Sequence, residues 1–121
     1  MPGTLVQFAS NGEKASGYLS LPKSGRGPGV LVIQEWWGLV PHIKNVADRF
    51  AAAGYVALAP DLYHGKAATE PDEARKLMME LQIGPAGKDM AGAVAYLRSH
   101  PAVTPKKVGC VGYCMGGGMT L

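Results

Sequence analysis

The sequence predicts an α/β fold built on a largely parallel sheet. Short apolar runs typical of buried strands occur at 29–34, 55–59 and 106–112. Helix-forming segments separate these runs, and a Ser-Asn-Gly hairpin signal at 10–12 precedes them all. Strands that alternate with helices pair in parallel, because each crossover returns the chain to the same edge of the sheet. The expected order is therefore an antiparallel hairpin followed by parallel strands with flanking helices.

Composition limits the chain to one modest core, so we expect a single domain over 1–121. The 47% apolar and 17% charged content is that of a soluble globular sequence. The 12 Lys and Arg residues are scattered without runs, which argues against a nucleic-acid partner. The longest nearly apolar stretch, 50–60, is too short for a membrane span, and no signal peptide is visible. Two cysteines without an export signal favour a reducing cytoplasm.

The first half of the chain begins with the predicted hairpin, which pairs 4–8 with 15–21. The run at 29–34 then predicts a central buried strand. Apolar residues at helical spacing predict an amphipathic helix over 41–53, and Gly54 stands where a helix C-terminus favours glycine.

The second half continues with a buried strand at 55–59 and a helix that opens at Thr69 and Pro71. Gly84, Pro85 and Gly87 are expected to break the chain before a third helix at 88–99. A turn at 101–105 then leads into the strand at 106–112, and we expect Gly92 to weaken the third helix mildly.

The glycine-rich segment after that strand, Gly112-Tyr113-Cys114-Met115-Gly116, has the G-x-C-x-G frame of a nucleophile elbow with a thiol at its apex. A helix that begins at Met115 would direct its N-terminal dipole at the sulfur and favour the thiolate. The frame lacks the Lys-Ser/Thr ending of a phosphate-binding loop, and Cys110 and Cys114 are not spaced as a C-x-x-C redox pair. We expect Cys110 to pack in the sheet and Cys114 to be exposed, although a tight glycine turn with an incidental cysteine fits the same residues.

Polar residues follow three of the predicted parallel strands. Glu35, Asp61 and Cys114 each stand at a carboxyl end, which is the edge where such sheets bind ligands. Glu35 lies between an apolar strand and two tryptophans, so its carboxylate needs a partner, whereas one of the tryptophans is expected to cap the core. The three histidines are not spaced for a metal, and no metal or cofactor is predicted (His42, His64 and His100).

Three motifs in the order found here resemble those of the dienelactone hydrolase family of α/β-hydrolases: QEWWG at 34–38, APDLY at 59–63 and GYCMGG at 112–117. The resemblance implies that Cys114 is the nucleophile and that Glu35 lies beside its thiol, because the strands that carry them are neighbours in that fold. It also implies an oxyanion hole formed by the backbone N–H groups of Met115 and Trp36. Candidate residues of a substrate pocket are Trp37, Tyr63 and Arg75.

The family's order places the triad Asp and His after the nucleophile, whereas this sequence ends at Leu121 and its histidines all precede Cys114. We therefore expect the N-terminal part of an α/β-hydrolase fold with an incomplete sheet. The predicted function is a cysteine-dependent carboxylic ester or lactone hydrolase that needs a C-terminal half as its partner. One alternative is a catalytically incomplete fragment that binds or oligomerises through the open edge at 106–112. Another is a thiol-redox protein, which predicts rapid alkylation of both cysteines.

Overall fold

The computed structural model describes residues 3–10, 13–34, 39, 41–62, 70, 72–73, 75–76 and 83–112. Five strands in this part of the chain form one sheet in the order β1-β2-β4-β3-β5. Their bounds are β1 Thr4–Ser10, β2 Glu13–Ser20, β3 Gly27–Ile33, β4 Val56–Pro60 and β5 Val103–Gly112. The two longer helices are α1, Pro41–Ala52, and α2, Ile83–Ser99. Of the helix predicted to open at Thr69 and Pro71, only four helical residues lie in the described part (Asp72, Glu73, Arg75 and Lys76).

The pairing of the strands confirms both the hairpin and the parallel part of the sheet. β1 and β2 are antiparallel, and their register runs from Thr4 opposite Leu19 to Ser10 opposite Glu13. The predicted turn residues Asn11 and Gly12 lie outside the described residues. β2 is antiparallel to β4, whereas β3 is parallel to β4 on one side and to β5 on the other. The carboxyl ends of β3, β4 and β5 therefore share one edge.

Helix α1 ends one residue earlier than predicted, and a Schellman motif terminates it. Gly54 has φ +105°, a left-handed conformation that glycine adopts without Cβ strain. The Gly54 N–H donates to the carbonyl of Ala51 at 3.0 Å, and the Tyr55 N–H donates to the carbonyl of Phe50 at 3.1 Å. The Phe50 and Tyr55 rings pack edge to face at 5.9 Å and complete the motif. The predicted role of Gly54 is confirmed.

Helix α2 begins at Ile83, five residues before the predicted start, so the expected break at Gly84, Pro85 and Gly87 was wrong. Pro85 stands in the first turn, where a backbone N–H has no intrahelical acceptor, and proline there removes no hydrogen bond. The glycines lower the helix propensity of this turn without preventing it, because tertiary packing outweighs propensity.

The helices cover opposite faces of the sheet, which creates two apolar clusters. α2 packs on one face, where the fully buried side chains include those of Leu31, Leu58 and Leu97. α1 packs on the other face through Ile43 and Ala47. Alternate residues of β3 and β4 enter alternate clusters, as the two-residue period of a strand requires. The continuous apolar runs in the sequence arise because both faces of these strands are buried.

Strand β5 begins at Val103, within the predicted turn, and its pairing with β3 is irregular at the start. Gly27 is opposite Val103 and Gly29 is opposite Val108, so four residues of β5 correspond to one residue of β3. From Val108 to Gly112 the register is regular. In the described part of the chain β5 pairs on one side only, with β3.

Candidate active site

The regular register between β3 and β5 brings two predicted site segments to neighbouring positions at the carboxyl edge. Ile33 is opposite Gly112. Glu35 follows Ile33 by two residues, and Cys114 follows Gly112 by two residues. The segments that carry the predicted nucleophile and the predicted carboxylate therefore begin at neighbouring strand ends. Six predicted site residues lie outside the described residues, and their roles stay predictions (Glu35, Trp36, Trp37, Tyr63, Cys114 and Met115).

The residues that directly follow β3 and β4 at this edge are connected by hydrogen bonds. Asp61 is 9% exposed, and its backbone N–H donates to the carbonyl of Ser16 in β2 at 2.8 Å. The backbone N–H of Leu62 donates to Oε1 of Gln34 at 2.7 Å. Gln34 is fully buried. The exits of β3 and β4 are thus joined by a buried hydrogen bond between residues 28 positions apart.

Gln34 was not singled out as a site residue from the sequence. The signal was present, because a polar carboxamide stands directly after a run of four apolar residues. A buried polar side chain needs hydrogen-bond partners, and an uncharged one at the end of a strand indicates a specific contact there.

Arg75, the predicted pocket arginine, is helical and exposed. Asp61, one of the three polar residues expected at the carboxyl edge, does lie there and is buried. The contact of Arg75 with a substrate stays a prediction.

Cys110 is exposed, so the expectation that it packs inside the sheet was wrong. It lies opposite Leu31 in the β3–β5 register, on a strand whose other side has no described neighbour. Partial burial nevertheless raises the pKa of the Cys110 thiol above its ordinary value. This thiol therefore favours the protonated, unreactive form at neutral pH.

A separate polar cluster connects α1 to β2. The Tyr18 hydroxyl donates to the Asp48 carboxylate at 2.9 Å, and the Ser20 hydroxyl donates to the same carboxylate at 2.8 Å. The Tyr18 oxygen also accepts a hydrogen bond from the Gly3 N–H at 2.6 Å. Burial and then the Asp48 carboxylate raise the pKa of Tyr18, against the opposing effect of the Gly3 N–H. These hydrogen bonds satisfy buried polar groups and hold the helix on the sheet.

The described histidines and one surface depression involve no predicted site residue. The Ala102 N–H donates to Nδ1 of His100 at 3.1 Å, and His42 is an exposed residue of α1. A depression of about 350 Å³ at the C-terminal half of α1 is lined by residues that were not predicted for the site: Val46, Arg49, Phe50 and Ala53. Among the described residues no group of three or more His, Cys, Asp or Glu could hold a metal ion. None of the helices described is long and apolar enough to cross a membrane.

Comparison with known proteins gives consistent matches. The sequence profile of the dienelactone hydrolase family matches residues 15–121. Protein usf of Aquifex pyrophilus is 44% identical over 98% of this chain and 54% of its own length. A putative carboxymethylenebutenolidase of Aquifex aeolicus is 40% identical over the same shares. The solved structure named m3DLH superposes with a TM-score of 0.83 at 28% identity, over 98% of this chain and 51% of its own. The chain spans about half the length of the relatives it matches.

Proposed function

Because the chain belongs to the dienelactone hydrolase family, we propose that it supplies the nucleophile half of a cysteine-dependent carboxylic ester or lactone hydrolase. A C-terminal half would supply the triad Asp and His. Homologues named carboxymethylenebutenolidase support a lactone substrate for the complete protein. The observation that carries the proposal is the register of Ile33 opposite Gly112, from which Glu35 and Cys114 each follow by two residues.

The proposed reaction proceeds in two steps. The Cys114 thiol gives its proton to the triad histidine, and the thiolate attacks the ester carbonyl carbon. The backbone N–H groups of Met115 and Trp36 stabilise the resulting oxyanion. Collapse of this intermediate expels the alkoxide, which takes a proton from the triad histidine and leaves an acyl-thioester on Cys114. The histidine then removes a proton from water, which attacks the thioester and releases the acid and the free thiol. Glu35 is the resting partner of the thiol, and substrate binding releases the sulfur toward the histidine.

The substrate pocket in this proposal includes Trp37, Tyr63 and Arg75. The two aromatic residues follow β3 and β4, whose exits are joined at the carboxyl edge. Aromatic side chains commonly line small-molecule pockets. A guanidinium can form a bidentate pair with a carboxylate on the substrate. A small ester or lactone with an acidic group is therefore the proposed substrate class.

The partner half would complete the sheet at β5. This strand is paired on one side only within the described residues, and it presents half-buried Val108 and Val111. An unpaired strand edge binds another strand through its free backbone N–H and C=O groups. The C-terminal half is therefore proposed to continue the sheet from β5 as well as to supply the proton-transfer residues.

The test joins residues 1–121 to the C-terminal half of the Aquifex pyrophilus relative and measures hydrolysis of a small aryl ester. We expect turnover by the fusion and none by the 121-residue chain alone. Cys114→Ala should lower kcat by about 10⁶-fold, because it removes the nucleophile. Cys110→Ala is the matched control and should retain activity.

Turnover that survives Cys114→Ala would refute the proposed nucleophile. A fusion that is folded but inactive, with a 121-residue chain that self-associates on size exclusion, would favour the alternative of a binding or oligomerising fragment.

A further inference from the structure

Gln34 extends the hydrogen bonding of the sheet beyond the end of β3. The last residue of that strand is Ile33, and the Gln34 carboxamide then accepts the Leu62 N–H at 2.7 Å. A carboxamide oxygen offers the same acceptor as a backbone carbonyl. The side chain therefore takes the role of the next backbone carbonyl of β3.

The exit of β4 is held from both sides as a result. β4 lies between β2 and β3 in the sheet. The Asp61 N–H donates to Ser16 of β2, and the next N–H, that of Leu62, donates to Gln34 beyond β3. Consecutive amides of a strand alternate between its two neighbours in this way. Gln34 thus fixes the point from which the chain continues toward Tyr63.

The nitrogen of the same carboxamide also requires a hydrogen-bond partner. Gln34 is fully buried, and its Nε2 has no acceptor among the described residues. A buried amide is stable only with hydrogen-bond partners, and an apolar side chain of the same length would fill this position without that cost. The polar side chain is therefore explained by the contacts that it makes at this edge and not by packing.

We propose that Gln34 is a positioning residue for the hydrolase site, an inference that rests on the proposed function above. Its side chain clamps the exit of β4 to the exit of β3. The clamp sets the starting points of the segment that carries Glu35 and Trp36 and of the segment that carries Tyr63. Oxyanion stabilisation depends on the placement of donors to within a fraction of an ångström, so loss of the clamp impairs the transition state more than substrate binding.

The first test compares three variants of the fusion protein in ester hydrolysis. Gln34→Met keeps the length of the side chain and removes the acceptor, whereas Gln34→Asn keeps the carboxamide one methylene shorter. We expect both to lower kcat by about 10- to 100-fold with KM nearly unchanged. Ser20→Ala is the matched control, because it also removes a buried hydrogen bond but lies opposite Ala57, near the start of β4. It should lower the Tm and leave kcat unchanged.

The second test needs no turnover. Amide hydrogen exchange, followed by mass spectrometry on peptides that contain Leu62, should be faster in both Gln34 variants and unchanged in Ser20→Ala. Unchanged exchange at Leu62, or a kcat within twofold of wild type in the folded Gln34 variants, would overturn the inference. A wild-type fusion without turnover would instead overturn the proposed function, and the exchange result would then decide the clamp by itself.

Discussion

The two cysteines lie four residues apart but differ in their expected chemistry. Cys110 belongs to a strand, and partial burial raises the pKa of its thiol. Cys114 stands in the G-x-C-x-G frame, where a following helix would favour the thiolate. Nucleophilic reactivity follows the thiolate fraction, so the two residues should separate kinetically at neutral pH.

We predict that iodoacetamide at pH 7 alkylates Cys114 faster than Cys110, as measured by peptide mass spectrometry over time. The Cys110 rate should increase only at a higher pH than is usual for a cysteine, because the raised pKa keeps its thiol protonated. Cys114→Ser should remove the fast phase, whereas Cys110→Ser should leave it intact. Equal, rapid labelling of both thiols would instead support the thiol-redox alternative.

Two glycines of helix α2, Gly87 and Gly92, differ in the space that surrounds them. Gly87 has open space where a side chain would extend. Gly92 faces the backbone of β1, and a Cβ there would overlap the carbonyl oxygen of Ala9. The helix approaches the sheet closely because Gly92 has no side chain, and Phe8 and Tyr96 pack beside this contact with ring centroids 6.0 Å apart.

Substitution of these glycines by alanine should therefore change stability in opposite directions. Gly87→Ala should raise the free energy of unfolding by about 0.5–1 kcal/mol through helix propensity. Gly92→Ala should lower it by about 1–3 kcal/mol, because the added methyl group forces the helix away from β1. Urea unfolding of the fusion protein measures both. A stabilising effect of Gly92→Ala would show that the close approach is not maintained in solution.

The sheet formed by the described residues has two outer strands, which differ in what packs against them. β1 is the outer strand on one side, and α2 packs against it through Phe8 and Tyr96. β5 is the outer strand on the other side of the described sheet, with Cys110 exposed. An uncovered, apolar strand edge favours association with another strand, whereas a charge on that edge opposes it.

The 121-residue chain by itself should consequently self-associate through β5. Cys110→Lys places a charge on the exposed side of that strand and should shift the chain toward monomer in light scattering after size exclusion. Leu5→Lys is the matched control, since Leu5 is 69% exposed on the opposite edge strand. A chain that is monomeric without substitution, or an equal response to both lysines, would contradict this role of β5.

Local sequence patterns determined much of this fold. The apolar runs identified β3, β4 and β5, the helical spacing identified α1, and Gly54 marked its end because a left-handed residue was required there. These features depend on neighbours within a few positions, which the sequence displays directly. The order of the three motifs was likewise enough to indicate the family from the sequence alone.

Only the tertiary structure decided the contacts between segments that are distant in the chain. The bond from Leu62 to Gln34 spans 28 positions, and the exposure of Cys110 depends on what lies beside β5. The requirement for glycine at position 92 likewise depends on its approach to Ala9. Strand order and register determine such contacts. Local periodicity indicates neither of them, so the sequence could not predict which residues meet across the sheet.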